Sequence, residues 1–281
     1  MPQLAATAFK DESWRMMHVR WKRGAALIAC GLGLVAPPGH AAVTPAQAKT
    51  LAGLQRELDQ LEAELIQTED VSAIRKLQRE YGFFIDKGLW EDLSALFTDD
   101  ARASYPAGVF VGKASIREHI WRNVGDGTIG IKDGRVYNHM VLQPVINVAP
   151  DGRTAKGRWR VLAMIGRLAD PSSDRPGQAT WAGGIYENVY VKQDGVWKIK
   201  DLRYYNDFAA PYEGGWAKVA PIVPVEGASS ASAATAAPTR SRFTLAHQPD
   251  QPRDEACPGY PAACIQPFHY DNPVSGRKNQ P

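Results

Sequence analysis

Cysteine is almost absent: the 281 residues hold three. Cys30 falls in an apolar N-terminal run, which leaves Cys257 and Cys264 with one nearby histidine, His269, too few ligands for a structural zinc site. In an oxidising compartment these two cysteines are expected to close a small disulfide loop that pins the tail. No glycine-rich phosphate loop occurs, and no basic cluster interleaved with aromatics. No apolar run is long enough to span a bilayer as a helix. The longest, Ala25–Ala36, has 12 residues; Arg20, Lys22 and Arg23 precede it and Pro37-Pro38 follow. That is the layout of a secretory signal, with small residues permitting cleavage after Ala41 or Ala48. Residues 1–48 are therefore expected to be a signal and processing region, and the mature chain an exported, periplasmic protein free of the membrane. Removing them takes Lys+Arg from 33 to 28 and Asp+Glu from 30 to 28, so the formal charge falls from +3 to zero. A neutral mature chain argues against nucleic acid as a partner.

What is present organises itself by period. Leu51, Leu54, Leu58, Leu61 and Leu65 recur at alternating steps of three and four, predicting a leucine-striped helix over 49–68 that is completed by a partner surface. A second helix is expected from Asp70, itself a candidate cap with Ser72, to Lys87, where Gly88 ends it. Short helices over 89–97 and 116–124 follow, with an irregular or extended stretch from Thr98 between them. The period then changes to two. Strands are predicted over 136–148, bent at Pro144, and over 153–168, 180–192 and 196–205, with a tight turn at Gln193-Asp-Gly. Helices followed by an antiparallel meander make residues 69–217 an α+β domain. Residues 218–281, rich in Pro, Ala and Ser, are expected to lack a core of their own and to use Phe243, Tyr260, Phe268 and Tyr270 as anchors.

Three residues carry candidate chemistry. Tyr81 and Asp86 belong to the second helix, and Asp86 sits on a mostly apolar path beside Ile85 and Leu89. A carboxylate there has either a partner or a task; the alternative is a helix-end Asp bonded to solvent or to Lys87. His139 lies mid-strand, sharing a face with Tyr137, Val141 and Gln143 by alternation, and is a candidate base or a satisfied structural histidine. His119 is expected on a polar helix face, with His247 and His269 in the tail. Trp159, Tyr186 and Tyr190 are candidate walls of a substrate site. Arg160, like Arg158, either holds a substrate carboxylate or phenolate or simply faces outward.

Read in order, Tyr81…Asp86-Lys-Gly-Leu-Trp-Glu-Asp-Leu…Leu96-Phe97…Asp100, Gly112…Ile116, His139 and Gly184-Ile-Tyr-Glu-Asn…Asp194-Gly-Val-Trp-Lys-Ile resemble the SnoaL-like branch of the nuclear-transport-factor-two-like superfamily over residues 69–210. The resemblance implies a cone-shaped, curved antiparallel sheet packed against N-terminal helices around a deep pocket. It also implies a homo-oligomer, dimer or trimer, that works without a cofactor. Tyr81, Asp86 and His139 match, place by place, the tyrosine, aspartate and histidine of the family's bile-acid dehydratases. Those enzymes' further carboxylate has no counterpart, since Gly157-Arg-Trp-Arg fills that stretch. The activity implied is a lyase that eliminates water or a small aldehyde such as formaldehyde from a hydroxylated aromatic or polycyclic compound, in aromatic catabolism. An isomerase or cyclase of the same fold, or a non-catalytic binding or assembly module, are the alternatives.

Overall fold

A computed structural model describes residues 44–169, 176–215, 245–253 and 265–278. Most of the expected signal region and the Cys257–Cys264 pair lie outside the described residues, as do the anchors Phe243 and Tyr260. The chain divides into an N-terminal unit ending at Ala52, which holds the first residues of the long N-terminal helix, and a unit over Gly53–Pro281 that carries the sheet and the cavity.

One helix, α1 (Pro45–Lys87), replaces the two expected. Asp70 does not cap a new start. It is buried in mid-helix, where Oδ1 accepts from Trp197 Nε1 at 2.8 Å and from Lys192 Nζ at 2.5 Å. A carboxylate satisfied by tertiary partners no longer competes for the local backbone, so the helix runs through. Its C-terminal half buries Ile74, Leu77, Gln78, Tyr81, Gly82 and Ile85, one stripe at helical spacing. The leucine stripe is exposed: Leu54, Leu58, Leu61 and Leu65 are each at least half accessible. Among the described residues no helix is long and apolar enough to cross a membrane.

After the positive-φ turn at Gly88 come α2 (Trp90–Ala95), β1 (Phe97–Tyr105), β2 (Gly108–Val111), α3 (Lys113–His119) and a π-helical turn, Ile120–Val124. Four long strands complete the unit: β3 (Arg135–Val148), β4 (Thr154–Arg167), β5 (Gln178–Gln193) and β6 (Val196–Pro211). The six strands form one sheet in the order β2-β1-β6-β5-β4-β3.

This corrects the expected cone-shaped antiparallel sheet. The sheet is open and not strongly curled, and β1 pairs with β6 in parallel. Two causes are visible. The stretch from Thr98, expected to be irregular or extended, is strand β1, and it takes the edge of β6. Closure would then require β2 to meet β3, but the outer edge of β2 is already occupied: Val109 N–H donates to Gln251 O at 2.9 Å and Val109 O accepts from Asp250 N–H at 2.8 Å. The tail thus covers an edge that would otherwise be unpaired.

Pro144 does bend β3. The register shifts between Leu142 and Val145, and Gln143 takes a left-handed conformation at φ 47°. The second tail segment lies on the opposite side of the β4–β5 pair from Tyr186. Arg158 donates to Pro267 O at 3.0 Å and covers the Phe268 ring at 3.9 Å, and Tyr270 meets Phe268 edge-on. The core sits between α1, α2 and the inner face of the sheet, and it includes Ile74, Phe97, Ile116, Trp159, Tyr190, Ile199 and Leu202.

Candidate active site

The C-terminal turns of α1 lie on β3 because residue 82 is glycine. A Cβ at Gly82 would come within 2.8 Å of His139 O and 3.2 Å of Val141 Cγ2. This close approach brings Asp86, one turn later, to His139. Asp86 Oδ1 accepts from the main-chain N–H of His139 at 2.8 Å and lies 3.0 Å from its ring Nδ1. Both side chains are nearly buried, at 10% and 12% exposure, and the His139 ring stacks on Tyr137 at 5.9 Å. A carboxylate at Nδ1 sets the tautomer: the proton stays on Nδ1 and Nε2 is left with its lone pair.

His139 lines a cavity of about 330 Å³, within the size range of small-molecule sites. Tyr81 and Tyr186 line it as well, with Ile85, Ile120, Val124, Val161, Ala163, Ile165 and Ala182 as its apolar walls. Tyr81 Oη is hydrogen-bonded to Tyr105 Oη at 2.9 Å, and the Tyr81 ring meets Tyr186 edge-on at 5.7 Å. Burial raises the pKa of Tyr81 well above the ordinary phenol value, helped by the neighbouring hydroxyls of Tyr105 and Tyr186. Desolvation likewise raises Tyr105, Tyr186 and Tyr204. All four phenols, protonated at neutral pH as any tyrosine is, stay so well into alkali and are available as donors.

Of the residues singled out from sequence, Tyr81, His139 and Tyr186 meet in this cavity. Asp86 reaches it only through His139 and itself borders a smaller cavity of about 30 Å³ with Gly88, Trp90 and Arg135. Trp159 and Tyr190 do not line it. They belong to a closed buried network in which Tyr190 Oη accepts from Trp159 Nε1 at 2.8 Å and donates to Gln78 Oε1 at 2.8 Å, while Asn188 Nδ2 also donates to Gln78. Arg160 stands outside, donating to Gln143 Oε1 at 2.9 Å across the β3 bulge.

Sequence reading missed Tyr105, His119, Asn123, Asn206 and Leu245, all of which line the cavity together with Tyr204. Tyr105 and Phe110 come from strands that no clear alternation marks. His119 is expected on a polar face, but it follows the buried Ile116 by three residues on α3 and packs on Phe110 and Tyr105, strand residues that no spacing rule links to it. The ring is 4% exposed. Among the described residues no group of three or more His, Cys, Asp or Glu could hold a metal ion.

Solved structures resemble the chain at low similarity. A proposed scytalone dehydratase of Novosphingobium aromaticivorans shares 25% identity, with 54% of this chain and 91% of that one covered and a TM-score of 0.43. A hexachlorocyclohexane dehydrochlorinase of Novosphingobium barchaimii shares 18%, with 57% and 99% covered and a TM-score of 0.45. An NTF2-like protein with a cystatin-like fold, also from N. aromaticivorans, shares 22%, with 52% and 88% covered and a TM-score of 0.40. Residues 67–203 match the family model of the SnoaL-like domain, spanning α1 from before Asp70 to the middle of β6. Residues 67–203 therefore form a SnoaL-like domain.

Proposed function

We propose that the cavity is the active site of a cofactor-independent lyase acting on a hydroxylated aromatic or polycyclic compound. One observation carries this reading: an apolar cavity holds both an imidazole whose Nδ1 is bound by a buried carboxylate and a phenol hydrogen-bonded to a second phenol, Tyr81 to Tyr105. Family membership supports acid–base chemistry without a cofactor in general; the specific reaction is argued from these side chains.

His139 Nε2 takes a proton from a carbon or a hydroxyl of the substrate, and Asp86 offsets the charge that develops on the ring. Tyr81 donates a hydrogen bond to the departing or developing oxyanion, relayed from Tyr105. In dehydration, a C–H and a C–O bond break, a C=C bond forms, and the hydroxide leaves as water with a proton from the site. In aldehyde loss, the O–H proton goes to His139, the C–C bond breaks, and the carbanion delocalises into the aromatic system before it is protonated. Apolar walls strengthen both hydrogen bonds by excluding water. A non-catalytic module would more simply pack aliphatic side chains against His139, whereas a cavity stands there instead. Export to the periplasm and assembly as a homo-oligomer belong to the same proposal, supported by the N-terminal charged and apolar segments and by the exposed leucine stripe.

The test is incubation of the purified chain with hydroxylated mono- and diaryl compounds, read by mass spectrometry. Loss of the mass of water or formaldehyde supports a lyase, and an unchanged mass with a shifted retention time would make it an isomerase or cyclase. His139→Ala should lower turnover by roughly 10²-fold or more; turnover unaffected by that change would remove His139 from the mechanism.

A further inference from the structure

The same cavity holds a second imidazole whose protonation pattern is fixed from outside it. His119 ends α3, stacks on Phe110 with ring centroids 3.8 Å apart, and lies against Tyr105 at 4.8 Å. Its Nδ1 is 2.9 Å from Asn123 Nδ2. Which atom of that pair donates depends on what holds the Asn123 amide. The amide oxygen accepts from the main-chain N–H of His247 at 3.1 Å, and Nδ2 donates to the main-chain O of His247 at 2.8 Å.

These two bonds permit one orientation. Reversing the amide would set its NH₂ against an N–H and its carbonyl against a carbonyl. The Asn123 NH₂ therefore faces His119, Nδ1 is an acceptor, and a neutral ring must carry its proton on Nε2. The ring is neutral because burial, and secondarily the neighbouring His247, push its pKa down to about 3. Phe110, Tyr105 and Asn123 pack on it and bring no carboxylate, while His247 is turned to Ser115 Oγ at 3.0 Å. Nε2 has no hydrogen-bond partner among the described residues, and the ring lines the cavity.

We infer that His119 is a neutral hydrogen-bond donor to the substrate, presenting Nε2–H to one of its oxygens, and that the main chain of the C-terminal tail at His247 fixes this tautomer through Asn123. The inference rests on the lyase reading of the cavity and narrows its substrate class. His139 offers a lone pair and His119 offers a proton that it does not give up. The compound they suit has an acidic proton at one end and a phenolic or carbonyl oxygen at the other. His119 would touch that oxygen; Asn123 and His247 are positioning residues. The tail segment 245–253, far from the helices in sequence, is thereby part of the site.

Long-range ¹H–¹⁵N spectra of the full-length chain test this without any turnover. Wild-type His119 should show the neutral Nε2–H pattern throughout about pH 5 to 8. Asn123→Asp replaces the amide donor with an acceptor, and should move the proton to Nδ1 or charge the ring. Asn123→Ala, which removes only the constraint, should give mixed tautomers and serves if the aspartate variant fails to fold. 4-Nitrophenol supplies the oxygen: its addition should shift the Nε2–H resonance downfield, with affinity falling about tenfold in Asn123→Asp, the scale of one charge-influenced hydrogen bond. A wild-type ring protonated on Nδ1, a ring charged near pH 5, or His119 resonances unmoved by 4-nitrophenol up to its solubility limit would each overturn the inference. Should His139→Ala keep full turnover, the lyase reading fails while the tautomer result still stands.

Discussion

Asp86 Oδ1 bonds one residue twice, accepting from both the main-chain N–H of His139 at 2.8 Å and its ring Nδ1 at 3.0 Å. A single oxygen thus fixes where the strand lies against α1 and which imidazole nitrogen is left free. Asp86→Ala removes both bonds. Turnover should fall about 10²- to 10⁴-fold, and stability by about 1–3 kcal/mol because a buried N–H loses its partner. Asp86→Asn keeps a carbonyl for the main chain and should retain most of the stability while losing the turnover. Steady-state kinetics and urea denaturation of the two variants separate these roles; an Asp86→Asn enzyme as fast as wild type would deny the carboxylate its part.

Gly82→Ala tests the packing that creates this pair. The added methyl would meet His139 O at 2.8 Å, and main chain cannot yield as a side-chain tip does. Helix and strand should separate, costing about 1–3 kcal/mol and weakening the Asp86–His139 bond. A crystal structure of the variant should show that bond longer than 3.0 Å.

For Tyr81→Phe the ring contacts with Phe97 and Tyr186 survive and only the hydroxyl is lost. Tyr105 then lacks its 2.9 Å partner. The expected stability loss is small, about 0.5–1.5 kcal/mol. The expected kinetic effect is larger and falls on kcat, not KM, if the hydroxyl acts on developing charge. An equal rise in KM at constant kcat would assign Tyr81 to ground-state binding.

His119 predicts a stability slope in acid. Its pKa is held at about 3 in the fold against 6.5 when unperturbed. Between these values the unfolded chain binds the additional proton, so stability is full above pH 6.5 and is lost as pH falls toward 3. The loss is on the order of a few kcal/mol at its limit. His119→Phe keeps a ring between Phe110 and Tyr105 and removes the titration. Urea midpoints measured from neutral pH downward should therefore decline less steeply in the variant than in wild type; parallel declines would exclude His119 as the source.

How much of this the sequence disclosed depended on whether a residue's partners were local. The Ile74–Ile85 stripe, the Gly88 stop and the four long strands announce themselves by period, and Tyr81, Asp86 and His139 by their place in that pattern. Asp70 suggested a helix start only because its true partners, Trp197 and Lys192, lie far along the chain. Trp159 and Tyr190 read as pocket walls because aromatic strand residues look alike until a buried partner such as Gln78 is seen. His119 and Asn123 could not be paired with the tail by any spacing rule, and the openness of the sheet turned on a strand edge that a distant segment covers.

The parallel pairing of β1 with β6 has a consequence for synthesis. Phe97 has to wait for Ile199, roughly a hundred residues later, before its strand has a neighbour on that side, and such late pairing slows folding. Until then the sheet exists only as two separate pieces, the β1–β2 hairpin and the β3-β4-β5 meander, with no strand between them. β6 is thus the keystone of the sheet, and a chain cut short before Val196 would lose the join between its two halves in one stroke.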